Sequence, residues 1–240
     1  MADTKLSNLT NKTNLATTDL LYAVDPFSKK LTISNLIKNF GPGNGILTPP
    51  VDANYSWVNQ GTASIATGDY GISLIGQAAT GNSLKIRDKA APATPYTIIA
   101  AMYGTMFNQG SGTPAWGVIF RNVAAGTVVA FGFGFSSGAN NYNIITIDKF
   151  TNPTTYSGAS YITVIRGCGQ IGNCIWFKIQ DNGVNRISSL SFDGVNFIQI
   201  HSVVRTDFLT ADRVGFYLDV NNGSTFSQIV TLASWQELNS

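Results

Sequence analysis

From Asn54 to Trp235 the chain is a succession of short runs of Val, Ile, Thr, Tyr, Phe and Trp, punctuated by Asn-Gly, Asp-Gly, Ser-Gly and Gly-Ser clusters. No helical period longer than two turns interrupts them. Short β-branched and aromatic runs broken by turn dipeptides predict strands joined by tight turns, and many of them in succession predict an all-β sandwich. The pattern is clearest late in the chain. In Cys174–Gln180 the set Ile175, Phe177, Ile179 alternates with Trp176, Lys178, Gln180, and Asp181-Asn-Gly183 then turns the chain into Val184–Phe192. Asp193-Gly194 turns it again into Asn196–Ser202, so three successive strands form a meander. Arg213–Asp219 sets Val214, Phe216 and Leu218 against Gly215, Tyr217 and Asp219. The two aliphatic and aromatic sets are expected to face the core between two sheets. Ile229–Trp235 is nearly continuous in hydrophobicity, which predicts a last strand close to the core.

The first 40 residues read differently. Leu20–Val24 suggests a short strand, and Thr32 or Ser34 can cap a short helix carrying Leu36, Ile37 and Phe40, with Gly41 as its stop. So few apolar residues cannot stand alone, so this segment must dock onto something else. The Gly/Pro run Gly41–Pro50 marks a linker. The expected organisation is therefore a segment 1–40, a linker 41–53 and a sandwich 54–240.

Composition removes several classes of function. Of the 13 acidic residues only Glu237 is a glutamate, which excludes any mechanism needing two. A single histidine, His201, argues against His-rich metal sites, and no Gly-x-Ser-x-Gly elbow accompanies it, so His201 is expected to be an ordinary strand residue. Net charge is +2 with the basic residues scattered, which speaks against a nucleic-acid partner. There is no apolar leader and no run long enough to span a membrane, so folding in a cytosol is expected, with Cys168 and Cys174 as thiols. In Ala130-Phe-Gly-Phe-Gly-Phe135 the glycines lack the lysine of a phosphate loop, and they predict a strand with rings on one face and close backbone approach on the other.

Trp176–Gly183, Ser189–Phe197 and Ala211–Tyr217 together resemble the back half of concanavalin A-like, laminin-G-like β-sandwiches. Tyr55–Gly61 and Lys89–Tyr96 resemble tailed-bacteriophage proteins that carry such a sandwich. The segment Ala2–Leu9, with Asp19–Asp25 and Lys30–Leu36, is similar to the leaders of phage fibre and decoration proteins. The resemblance implies an antiparallel jelly-roll fold and a non-enzymatic virion protein, folded in the host cytoplasm. It would attach to other virion proteins through Leu6, Leu9, Leu20, Tyr22, Leu31, Ile33 and Leu36. The alternative is a carbohydrate-active enzyme of the same fold, but the Glu-x-Asp-x-Glu strand of such enzymes is absent.

Sugar recognition needs exposed rings beside polar groups. The candidates for host-surface glycan contact are Trp176, Tyr217, Tyr142, Tyr161, Arg166 and Asn143, the first two because they alternate away from the aliphatic sets. Asp181 and Asp193 sit in Asx-Gly turns, a placement explained by backbone hydrogen bonding alone. No cofactor or metal is expected. Calcium, which laminin-G-like domains hold through Asp and Asn oxygens, is weighed at Asp219-Val-Asn-Asn-Gly223 against an ordinary Asn-Gly turn. Low charge, 12% of residues, with many aromatics predicts a homo-oligomer. That it should be a trimer rests on the likeness to phage fibres.

Overall fold

The computed structural model describes residues 20–21, 31–32, 47–77, 79–105, 112–136, 142–165, 174–221 and 227–239. The chain divides into two units, Met1–Ile46 and Leu47–Ser240. In the first unit, β1 (Leu20–Leu21) pairs antiparallel with β2 (Leu31–Thr32). The rest of the expected attachment set, Leu6, Leu9, Tyr22, Ile33 and Leu36, and the expected helix before Gly41 lie outside the described residues.

The second unit is two antiparallel sheets of seven strands. The first runs in the order β11 (Thr155–Ile165), β10 (Tyr142–Asn152), β9 (Val128–Ser136), β8 (Ala115–Arg121), β15 (Arg213–Asp219), β6 (Leu84–Ala90), β3 (Ser56–Val58). The second runs β14 (Ile198–Val204), β13 (Asn185–Ser191), β12 (Ile175–Asp181), β7 (Tyr96–Thr105), β16 (Gln228–Asn239), β5 (Gly71–Gly76), β4 (Ser64–Gly68). The expected meander is the β12, β13, β14 edge, and the last strand lies centrally between β7 and β5. Residues 47–53, assigned to the linker by composition, bond to the sandwich: Trp235 N–H donates to the Thr48 carbonyl at 2.9 Å, and Thr48 N–H donates to Ser234 Oγ at 2.7 Å.

The period-two pattern explains the core. Ile175, Phe177 and Ile179 from one sheet and Val214, Phe216 and Leu218 from the other are all buried in a single cluster with Ile98, Met102, Phe131, Phe133 and Trp116. Each such side chain contributes about 1.5–3 kcal/mol by leaving water. Ring geometry adds order: Phe177 meets Phe131 edge-on at 5.2 Å between centroids and Trp116 at 5.9 Å.

Two fully buried carboxylates are matched by arginines. Asp88, fully buried, receives Arg121 at 2.6 Å and Arg213 at 2.8 Å, and fully buried Asp181 receives Arg205 at 2.7 Å. Pairing is what makes such burial tolerable, because an isolated desolvated carboxylate costs several kcal/mol. Glu237 also has a structural post, accepting from Trp235 Nε1 at 2.7 Å and pairing with Lys89 at 2.7 Å.

Candidate functional site

The Phe-Gly alternation of β9 puts Phe131, Phe133 and Phe135 in the inter-sheet core. It leaves Gly132 and Gly134 on the outer face of the first sheet. Gly132 pairs with Gly117 of β8, which pairs with Tyr217 of β15. Ala115 continues the small-residue track beside Gly134. The Tyr217 side chain lies along this track, with its hydroxyl where a Cβ on Gly132 would stand, 2.0 Å from that position. Any larger residue at 132 would evict the ring.

On either side the strands carry larger groups, and a cavity of about 370 Å³ results. Its floor is Ala115 and Tyr217. One wall is Leu84, Asp219 and the Asn82–Asn221 pair, joined by a 3.0 Å side-chain hydrogen bond. The other is Ile144, Thr146, Asp148 and Phe150 of β10 with Tyr156, Ile162 and Val164 of β11. Tyr156 stands edge-on to Phe150 at 5.6 Å and is 45% exposed, an aromatic wall open to solvent. The volume lies in the range of small-molecule pockets, about 300–1,000 Å³, and the lining has their usual character, mostly apolar with a few polar groups.

Two carboxylates face this cavity. Asp219 Oδ1 accepts from Ser83 N–H at 2.9 Å and Asn221 N–H at 3.1 Å. Burial nevertheless pushes its carboxyl up to about 7, with Asp148 adding to the rise. Asp148 accepts from Thr146 Oγ1 at 2.7 Å, and burial pushes it up to about 6. The Tyr217 phenol is raised well above its ordinary value by burial, and the charges of Asp148 and Asp219 reinforce this. Its hydroxyl is buried with no hydrogen-bond partner among the described residues. The loop weighed for calcium uses Asp219 as an Asx turn onto Asn221 N–H, and among the described residues no group of three His, Cys, Asp or Glu could hold a metal ion.

Among the described residues, those singled out for glycan contact do not converge. Trp176 and Tyr217 do alternate away from the core sets, but both are buried, 1% exposed, where exposure was expected. Trp176 sits on the outer face of the second sheet under the Asp193-Gly194 turn: Gly194 has φ +73°, and a Cβ there would stand 2.6 Å from the indole. Tyr217 floors the cavity of the first sheet. Asn143 and Tyr161 face inward, Asn143 opposite Phe135 and Tyr161 opposite Ile147. The Tyr161 ring stands 6.1 Å from that of His201. The Tyr142 side chain and Arg166 lie outside the described residues. The turn aspartates serve the backbone as expected: Asp193 accepts from Val195 and Asn196 N–H, which holds its carboxyl well below the usual range, and Asp181 accepts from Gly183 N–H at 3.0 Å.

Sequence reasoning missed Asp148, Thr146 and Tyr156 as cavity residues. The available signal was Ile144-Ile-Thr-Ile-Asp-Lys-Phe150, in which period two places Thr146 and Asp148 on the same face as Ile144 and Phe150. A carboxylate in an apolar row marks a buried polar site.

No protein-family model matches the chain, and no curated protein sequence matches it. Among solved structures it is similar to a functionally unknown protein from Saccharomyces cerevisiae, with TM-score 0.56 and 12% identity over 80% of this chain and 99% of that one. It is also similar to the GH43 protein BlXynB from Bacillus licheniformis, TM-score 0.51 and 10% identity over 80% of this chain and 38% of that one. A legume lectin-like domain from Entamoeba histolytica gives TM-score 0.50 and 10% identity over 78% of this chain and 91% of that one. The sandwich is of the concanavalin A-like, jelly-roll type.

Proposed function

We propose that this chain is a non-catalytic carbohydrate-binding module that seats a sugar in the outer-face cavity of the first sheet. The supporting observation is the combination in one cavity of an open aromatic wall, Tyr156, with the buried floor ring of Tyr217 and with Asp148, Asp219 and Asn82 as polar groups. Rings pack the apolar side of a sugar while fixed polar groups bond its hydroxyls. The non-catalytic reading is supported by the structural engagement of Glu237, the sole glutamate, with Trp235 and Lys89. The lectin-like likeness accords with sugar binding, as a likeness of fold. The experiment is a glycan-array screen of the full chain beside a reducing-sugar release assay. Binding without release is expected, with at least about fivefold weaker binding for Tyr156→Ala, the loss of roughly 1 kcal/mol of ring contact. Release of reducing ends would overturn the non-catalytic reading, and no bound glycan would overturn the whole.

A finer reading is that the module is displayed on a tailed-phage virion, as a homotrimeric fibre or decoration protein held through residues 1–40, without cofactor. The division of the chain into the units Met1–Ile46 and Leu47–Ser240 favours an anchor and a displayed head. Mass photometry of the full chain tests the trimer, and a monomer at micromolar concentration would refute it. Particle incorporation lost on deleting the first unit tests the anchor.

A further inference from the structure

We infer that the cavity selects amino sugars, taking a protonated glucosamine-type amine against Asp148 and Asp219 in preference to neutral or acidic sugars. This rests on the sugar-binding reading above and goes beyond it by naming the class of sugar.

The first observation is a contrast in how this protein treats its buried carboxylates. Asp88 and Asp181 have arginines within 2.8 Å, and Asp52 and Asp207 also pair with cations. Asp148 and Asp219 have no ion pair among the described residues, although both are largely removed from water. Both face the same cavity, and among the described residues no lysine or arginine lines it. Lys85, whose charge reaches Asp219, alternates to the other face of β6 and places its ammonium beside Gly61. Desolvated like charges in one cavity disfavour each other's ionised form, and a positive charge relieves both. A neutral hydroxyl can bond one carboxylate without removing that repulsion. An acidic sugar would add a third negative charge.

The second observation is independent of charge. Tyr217, 1% exposed, lines the cavity floor, and its buried hydroxyl, lying over Gly132, has no partner among the described residues. A buried hydroxyl left unbonded is destabilising, which favours an occupant able to offer it a hydrogen bond. Sugar hydroxyls do so beside the amine. The exposed Tyr156 ring also suits a cationic occupant, since aromatic faces attract ammonium groups. The selectivity cannot come from the overall field of the protein, which carries net charge +2 and repels cations at long range.

The test is isothermal titration calorimetry of the full chain at pH 7 with four trisaccharides: the glucosamine trimer, its N-acetylated form, a glucose trimer and a galacturonic acid trimer. Each is titrated with chelator and again with calcium. The glucosamine trimer is expected to bind at least about tenfold more tightly than the N-acetylated and glucose trimers, with the galacturonic acid trimer weakest. Asp148→Asn and Asp219→Asn are each expected to narrow the ratio of glucosamine-trimer to glucose-trimer affinity, with thermal melts confirming folding. Equal affinity for the glucosamine and glucose trimers would overturn the inference and leave the sugar-binding reading standing. Calcium-dependent gain of the neutral trimers would also overturn it, by making a metal the cation. If none of the trimers binds, both fall.

Discussion

Asp219→Asn should flatten the dependence of stability on pH. The carboxyl is 4% exposed and held up to about 7, whereas an unfolded aspartate titrates near 3.9. Between these values the folded protein keeps a proton that the unfolded chain has released. Stability from this group is therefore fully present below about pH 4 and is lost as pH rises through about 7. A shift of about 3 units corresponds to about 4 kcal/mol over the full span, of which roughly 2–3 kcal/mol falls between pH 5 and 8. The amide of the variant keeps an Oδ1 acceptor for Ser83 and Asn221 N–H, so the local turn survives. Asp148, held up to about 6, gives a smaller slope of the same sign in both proteins. Asp193 is held low by backbone N–H groups and acts only in more acidic solution, with the opposite sign. Urea unfolding followed by tryptophan fluorescence at pH 5, 6, 7 and 8 reads the effect directly. The variant should gain roughly 2–3 kcal/mol on the parent between the first and last points. Parallel curves would refute the argument, because they would mean that Asp219 is as well solvated in the fold as in the unfolded chain.

Phe216→Ala should cost about 3–5 kcal/mol in denaturant titration, since the ring is fully buried and meets Tyr55 at 5.4 Å; a loss below about 1 kcal/mol would refute its place in the core. Gly132→Ala should destabilise by about 1–3 kcal/mol by displacing the Tyr217 hydroxyl, and Tyr217→Phe should recover part of that loss, so additive effects in a double-mutant cycle would refute the contact. Cys174, half-buried with its thiol pushed up to about 11, should react with Ellman's reagent at pH 7 much more slowly in the folded protein than in urea, and equal rates would refute its burial.

What could be read from the residues was whatever repeats along a single strand. In β12 and β15 the alternation separates one face from the other, so Ile175, Phe177, Ile179, Val214, Phe216 and Leu218 were legible as core. Whether the opposite face meets water is decided by neighbours distant in sequence. Tyr217 looks like an exposed ring because it alternates with core residues, yet it is covered because β15 lies between β6 and β8 with Gly117 and Gly132 alongside. Trp176 is covered by a turn eighteen residues further on, at Gly194. The phenylalanine and glycine alternation of β9 announced close approach on one face, but not that a tyrosine side chain from β15 would be the group approaching. Asp148 was passed over because its meaning depends on Asp219 and on the absence of a cation paired with it among the described residues. That pairing crosses three strand boundaries.

The strand order of the two sheets also sets when the protein can fold. In the first sheet β15 joins β8 to β6, and in the second β16 joins β7 to β5. These joining strands, Arg213–Asp219 and Gln228–Asn239, are synthesised after everything they connect. Until they arrive each sheet exists as two separate ribbons with unpaired edges, and closing those gaps requires contacts between residues more than a hundred positions apart, such as Arg213 with Ala90 and Leu238 with Thr97. Such non-local topology folds slowly and exposes strand edges on the way. The nascent chain is therefore most vulnerable to aggregation just before β15 emerges. A polypeptide cut short before Arg213 would not be a smaller folded sandwich, because neither the cavity floor nor either sheet would be joined.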